Sequence, residues 1–383
     1  MTLLLVHVRP TTFYFLGLTF MLSIATVATN VRLVGHASKV IHREEEKERH
    51  ADRLSTDTHH HNHRRTRTKR RHRRLEEDGG DPDHRQQLYH HRLLNSRYGR
   101  YHSEYSSSMM NGTTFLKPTD SIYRLDFASP FVLEKHRLVF FTVPKAACTV
   151  FKQLFRRMSG YTNWHKQNND LPHKQQFNGL RLLRDYPLDV ASEMMTNSTW
   201  TRAIFFRDPR ERLLSAYLDK GKKPNLINKW CCPETNDCGN VSAKSFKGFL
   251  TEVMPNCLND HWSLQARRME PKFYYSINFI GYVETAAEDT HRLLVEMGKR
   301  NGNGNGEALW DSYCASGWGS HHIFQRISSI RHGTSSSNKL KQYYNSPEIM
   351  RLTEQVLRLD LEHPLFQFPS SASAELSEAP QQQ

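Results

Sequence analysis

Two glycine signatures are missing from this sequence. It has no G-x-x-x-x-G-K-[ST] and no G-x-G-x-x-G, which excludes a Walker phosphate loop and the dinucleotide fingerprint. No two of the six cysteines form C-x-x-C, and the histidines near them lack zinc-finger spacing, so no structural zinc site is expected. Apolar residues are scarce, at 37% of 383. That suits one folded domain of about 250 residues with a polar remainder better than two compact domains. Acidic residues are outnumbered by Lys and Arg, 39 against 53, giving a formal charge of +14. Such a balance implies an anionic partner: nucleic acid, acidic lipid, anionic glycan or phosphorylated nucleotide.

What apolar sequence there is begins at the N-terminus. Thr11 to Val31 carries no charged side chain. As a helix it would reach about 30 Å, the thickness of a bilayer core. Residues 1–10 then read as a short cytoplasmic tail and 11–31 as a signal anchor delivering the rest to the lumen. A cleaved signal peptide ending near Ala25 or Ala28 is the competing reading. Three N-x-S/T sequons, at Asn111, Asn197 and Asn240, suit a luminal chain.

Residues 32–120 are charged and histidine-rich with almost no apolar period. They are expected to be a disordered stem, because so little apolar surface cannot offset the entropy of ordering. Within it, Arg64 to Arg74 also reads as a nucleic-acid or nuclear-import patch or an anionic-glycan contact, and His59 to His63 as a metal cluster. A nuclear role conflicts with the apolar segment. The folded domain is expected over 121–369, with a disordered tail at 370–383. Cys231, Cys232 and Cys238 suggest a locally stapled loop in an oxidising compartment, while Cys148 is expected to stay free.

Inside the domain, Leu138 to Val143 is a continuous apolar run suited to a strand buried on both faces. Pro144 and Lys145 break it. Cys148 to Met158 follows with Val150, Phe151, Leu154, Phe155 and Met158 on one helical face. The unit recurs: Ala203 to Phe206 is a strand, Asp208 an N-cap with Pro209 at the first helical position, and Glu211 to Lys220 a helix. Pro347 to Leu361 is a further helix, with Ile349, Leu352, Val356 and Leu359 on its apolar face. Strand–loop–helix units in series imply an α/β fold with a P-loop-like central parallel sheet flanked by helices. A ligand would sit at the carboxyl ends of its strands.

A loop between a buried strand and a helix N-terminus is an anion site, since free N–H groups and the helix dipole both favour negative charge. Pro144, Lys145, Ala146, Ala147, Cys148, Thr149 and Val150 make such a loop, with small side chains, one ammonium and one hydroxyl. Arg207, at the end of the second strand, and Ser215, on its helix, form a second anion clamp. An ion pair of Arg207 with Asp208 or Glu211 is the plainer alternative. Two phosphate sites on neighbouring strand ends suit a nucleoside phosphorylated at both ends.

The segments VPKAACTVFK (143–152) and FFRDPRERLLSAY (205–217) resemble the donor-binding motifs of the carbohydrate sulfotransferases. The group resembled contains the HNK-1 and chondroitin/dermatan 4-O sulfotransferases. Asn259 to Trp262, Phe279 to Glu284, the segment from Arg331-His332 to Tyr344, and Leu359-Asp360 to Phe368 resemble that group's later motifs, in order. Arg210 and Val150-Phe151 depart from its pattern. The resemblance spans about residues 135–368. It implies PAPS as the sulfuryl donor, with 144–150 on the 5′-phosphosulfate, Arg207 and Ser215 on the 3′-phosphate, and Arg331 assisting. It implies Lys145 neutralising the leaving group, and no metal. A base is needed to activate the acceptor hydroxyl. His173, in a segment resembling the family's H-x-x-x-L-x-x-L, and His261 compete for that role. The expected protein is a single-pass type II Golgi membrane enzyme with a luminal catalytic domain. It would sulfate a hydroxyl of an extended or anionic glycan, without nucleic acid as partner. A glycan-binding protein on the same fold that has lost catalysis is the alternative; an ATP-dependent kinase or a basic nucleic-acid binder fits less well.

Overall fold

The computed structural model describes residues 82–102, 106, 115–165, 168–232, 245–300, 306–315 and 334–366. The expected tail 1–10, the anchor 11–31, the stem up to residue 81, Asn111, Cys238, Asn240, Arg331, His332 and the tail 370–383 lie outside the described residues. Among the described residues, no helix is long and apolar enough to cross a membrane. None of them forms a His/Cys/Asp/Glu group arranged to hold a metal ion.

Among the described residues, five strands form one sheet in the order β3-β1-β2-β4-β5: β1 (Phe131–Leu133), β2 (Leu138–Phe141), β3 (Arg181–Leu182), β4 (Thr201–Phe206) and β5 (Phe279–Tyr282). The parallel sheet expected from the sequence holds for β2, β4 and β5 only. β1 runs antiparallel to both β2 and β3, so the sheet is mixed. A tight turn, with Arg137 in the left-handed region (φ 45°), joins β1 to β2. A connection that short permits only antiparallel pairing.

The alternation along β2 divides the core. Val139 and Phe141 enter one apolar cluster, Leu138 and Phe140 the other, because successive strand side chains face opposite sides. The second cluster is completed by α2 (Cys148–Met158) and α6 (Ala286–Arg300). The apolar face expected on α2 is buried at all five positions. The first cluster is completed by α3 (Leu188–Thr196), by residues 273–277 and by a segment N-terminal to β1. That last segment precedes the expected domain start at residue 121. Within it, α1 (Pro82–Leu94) buries Leu93 completely. His90 Nε2 lies 2.7 Å from Tyr275 O, and Tyr98 packs edge-on against Tyr274. A few aromatic and leucine side chains suffice to dock a segment whose average composition reads as stem.

A third cluster joins α4 (Pro209–Ala216), α5 (Pro224–Cys231) and α7 (Pro347–Leu361) around Phe249 and Trp262. On α7 the innermost residues are Thr353, Leu357 and Asp360. Ile349, Leu352 and Val356 are only partly buried there, so the inward face is turned from the one the apolar pattern suggests. Asp360 turns it. Its carboxylate accepts from the backbone N–H groups of Gln265 (3.0 Å) and Ala266 (2.8 Å).

Cys231 is bonded to Cys257 across 26 residues, and Cys232 is also disulfide-bonded. Cys231 is therefore not part of a purely local staple: it ties α5 to the loop before Trp262. Cys148 and Cys314 are free. Burial pushes the Cys314 thiol up to about 12.

Candidate functional site

The loops that leave the carboxyl ends of β2, β4 and β5 meet. After β2, Lys145 (φ 68°) and Ala147 (φ 54°) adopt left-handed backbone conformations without being glycine. Each costs about 1 kcal/mol or more. Ser335 (φ 48°) is a third such residue, and it lies in the segment packed against the same loops. Ala147 is the N-cap of α2 and supplies no side-chain cap. Left-handed residues next to a helix start form a concavity of N–H groups that favours anions, and the small side chains of Ala146, Ala147 and Cys148 leave it approachable.

Lys145 is nearly enclosed. Its Nζ lies 2.9 Å from Asp219 Oδ2, with side-chain exposures of 10% and 7%. Burial lowers the lysine's affinity for its proton and the Asp219 charge restores part of it; the net shift is downward. Asp219 comes from a π-helical turn, Tyr217–Gly221, that extends α4. Such turns often occur at functional sites because they re-aim side chains. Lys220 and Lys223 also lie within 4 Å of Asp219.

Asp208 caps α4 as expected, its Oδ1 accepting from Arg210 N and Glu211 N, with Pro209 opening the helix. Arg207 bridges the two loops: Nη1 donates to Lys145 O (3.1 Å), and Nη2 to Glu211 Oε2 (3.2 Å) and Ser336 Oγ (2.9 Å). The ion pair with Glu211 and the position beside the first loop therefore coexist. Ser215 differs from expectation. It is 3% exposed, and its Oγ accepts from Thr334 Oγ1 (3.0 Å), so it meets the site through the 334–339 segment. Arg331 falls outside the described residues.

The two candidate bases stand in different surroundings. His173 is exposed, with Nε2 2.9 Å from Thr149 Oγ1 and Nδ1 3.4 Å from Lys152 Nζ. His261 is held by Asn259, whose Oδ1 accepts from His261 N (3.0 Å) and lies 2.8 Å from Nδ1. Its ring stacks on Trp230 at 5.2 Å and 5°. Burial, then the charges of Lys220 and Lys145, lower its pKa to about 4. His261 is thus neutral near pH 7 and beside the Lys145–Asp219 pair.

Several residues here have no role that the sequence pattern suggests, although Arg212 and Glu284 lie inside the segments 205–217 and 279–284. Arg212 is 3% exposed and donates to Pro144 O (2.8 Å), Ser263 O (2.7 Å) and Asp260 O (3.1 Å). It fastens the first loop to the His261 loop, and burial lowers its pKa to about 10. Arg268 donates to Thr142 O and Phe127 O. Gln265 exchanges hydrogen bonds with the Arg207 backbone (3.0 and 2.7 Å). Asp208 N donates to Glu284 Oε1 (2.8 Å).

The arrangement sets two basic residues and backbone N–H groups without a side-chain cap at neighbouring strand ends, a geometry that favours an anion. Residues 129–369 match the sequence model of the sulfotransferase family, and the chain belongs to that family. Carbohydrate sulfotransferase 9 of Homo sapiens is 27% identical over 186 residues, covering 44% of this chain and 40% of that protein. Carbohydrate sulfotransferase 8 of Mus musculus is 26% identical over 179 residues (43% and 42%), and carbohydrate sulfotransferase 10 of Xenopus laevis 24% over 189 residues (44% and 52%). The chain thus spans about half the length of these relatives or less. No solved structure matches the chain.

Proposed function

We propose that this chain transfers a sulfuryl group from PAPS to a hydroxyl of a carbohydrate, as a type II Golgi enzyme anchored by residues 11–31. The observation that carries the reading is the contact between Arg207 Nη1 and Lys145 O. It sets a guanidinium fork beside a left-handed, uncapped loop, which supports two adjoining phosphate subsites. The donor set fits a nucleoside 3′-phosphate 5′-phosphosulfate: Lys145 and the 144–150 amides for the 5′ end, Arg207 with the Ser215, Thr334 and Ser336 hydroxyls for the 3′ end. The names of the relatives support carbohydrate as the acceptor class.

The donor supplies an activated sulfuryl group. The acceptor oxygen forms a bond to sulfur as the bond from sulfur to the phosphate oxygen breaks, and the acceptor proton goes to a base. Lys145 then opposes the charge growing on the leaving phosphate, an interaction strongest in the transition state. His173 serves as the base: it is exposed to an incoming acceptor and stands at the first turn of α2. His261, depressed to about 4, is a weak proton acceptor and orients its loop.

The test is calorimetric binding of 3′,5′-ADP to the full chain, followed by transfer from PAPS to a panel of glycans. Micromolar binding that Arg207→Ala weakens by roughly ten- to a hundredfold, and that ATP and 5′-AMP do not match, is expected. No binding by folded protein would overturn the reading.

A further inference from the structure

Glu284 lies two residues beyond β5 and faces the turn that carries Arg207. One oxygen is engaged, since Oε1 accepts from Asp208 N (2.8 Å). The other, Oε2, is buried with no hydrogen-bond partner. The groups around it are crowded with like charge. Asp208 caps α4. Glu211 Oε2 accepts from Arg207 Nη2 and from Ser337 Oγ. Arg207 pairs with Glu211 at 3.2 Å, and its charge also acts on Glu284. Lys339 on the 334–339 segment is turned to Thr334 O, Asp289 and Arg292 on α6 pair with each other, and Arg210 pairs with Glu354 of α7.

A buried carboxylate oxygen without a donor is costly, whereas a protonated one is itself a donor. Burial, followed by the charge of Glu211, raises the Glu284 carboxyl to about 7. The carboxyl here that gains from a proton is therefore that of Glu284, whose buried Oε2 has no donor. This inference rests on Arg207 as the seat of the donor's 3′-phosphate. A doubly charged phosphate arriving there meets Glu211 and Glu284 as well as the guanidinium. We propose that Glu284 is a positioning residue that carries a proton when the donor is bound, keeping the Arg207 charge available to the 3′-phosphate, so that nucleotide and one proton bind together.

The affinity of the full chain for 3′,5′-ADP, measured from pH 6 to 8, tests this. Relative to Glu284→Gln, whose side chain keeps the acceptor for Asp208 N but cannot ionise, the wild type is expected to weaken about tenfold over that interval. Comparing the two cancels the titration of the nucleotide's own phosphates. A second measurement needs no variant. Calorimetry of wild type at pH 7.5, in buffers of different ionisation enthalpy, should report uptake of about three-quarters of a proton, the fraction of Glu284 ionised there. Parallel pH profiles for the two proteins, or no proton uptake by wild type, would overturn the proton coupling and leave the donor site standing. No binding at any pH would overturn the donor site itself.

Discussion

Lys145 and Asp219, 74 residues apart in sequence, form a buried ion pair at 2.9 Å. The lysine in the loop between β2 and α2 is therefore already neutralised by the chain's own carboxylate. Anything anionic entering the loop competes with Asp219 for that ammonium.

Asp219→Asn should consequently separate stability from affinity. Removing one member of a buried pair strands the other, at about 3 kcal/mol, while an uncontested Lys145 should bind 3′,5′-ADP several-fold more tightly. Urea unfolding and calorimetry on the same variant check both signs. An unchanged urea midpoint would show that the pair carries no weight.

Arg207→Ala and Lys145→Ala should fail differently. The arginine variant should lose about 1.5 to 3 kcal/mol of nucleotide binding, the worth of a charge-assisted hydrogen bond. The lysine variant should lose turnover by a larger factor than affinity, because its charge matters most as the leaving group departs. Titration of 3′,5′-ADP beside single-turnover rates distinguishes them.

Arg212→Lys should destabilise although it keeps the charge. Three carbonyls of two separate loops share the guanidinium's donors, a geometry an ammonium cannot reproduce. A fall in thermal midpoint with loss of nucleotide binding is expected. A wild-type melting curve would refute the fastening role.

Reducing the Cys231–Cys257 bond, or replacing both cysteines by serine, should cost about 3.5 kcal/mol by loop entropy for 26 residues. Because the bond joins α5, which carries Trp230, to the loop that carries His261, it should also loosen their stacking. Quenching of tryptophan fluorescence with and without reductant reads that loosening directly.

Acid should unfold the protein through its buried imidazoles. His363 is 3% exposed, its Nε2 has no hydrogen-bond partner, and burial lowers its pKa to about 3. The folded state refuses a proton that the unfolded chain accepts below about 6.5. Stability from this group is therefore complete above that value and falls as pH drops toward 3, by on the order of 3 kcal/mol at pH 4. His363→Phe should flatten that part of a pH–stability curve.

Legibility of the site followed sequence distance. Lys145, Thr149, Arg207 and the Asp208 cap could be placed because each lies at a strand end or helix start that its immediate neighbours define. Arg212 reads as one more basic residue on a helix, and Asp219 as one acid among lysines, until the fold brings Pro144, Ser263 and Lys145 to them. Ser215 was located correctly on its helix, yet its burial depends on Thr334, 119 residues away.

The sequence by itself determined α2, β2, β4, the start of α4 and the extent of α7. These depend on apolar period, on Asp-Pro capping and on backbone preferences within a few residues. Only the tertiary structure decided that β1 runs antiparallel, that α1 belongs to the core, that Cys231 joins Cys257, and that Asp219, Arg212 and Glu284 surround the anion loops. Hydrogen-bond partners and burial of a charged side chain are set by whichever distant backbone packs against it, and no local pattern encodes that.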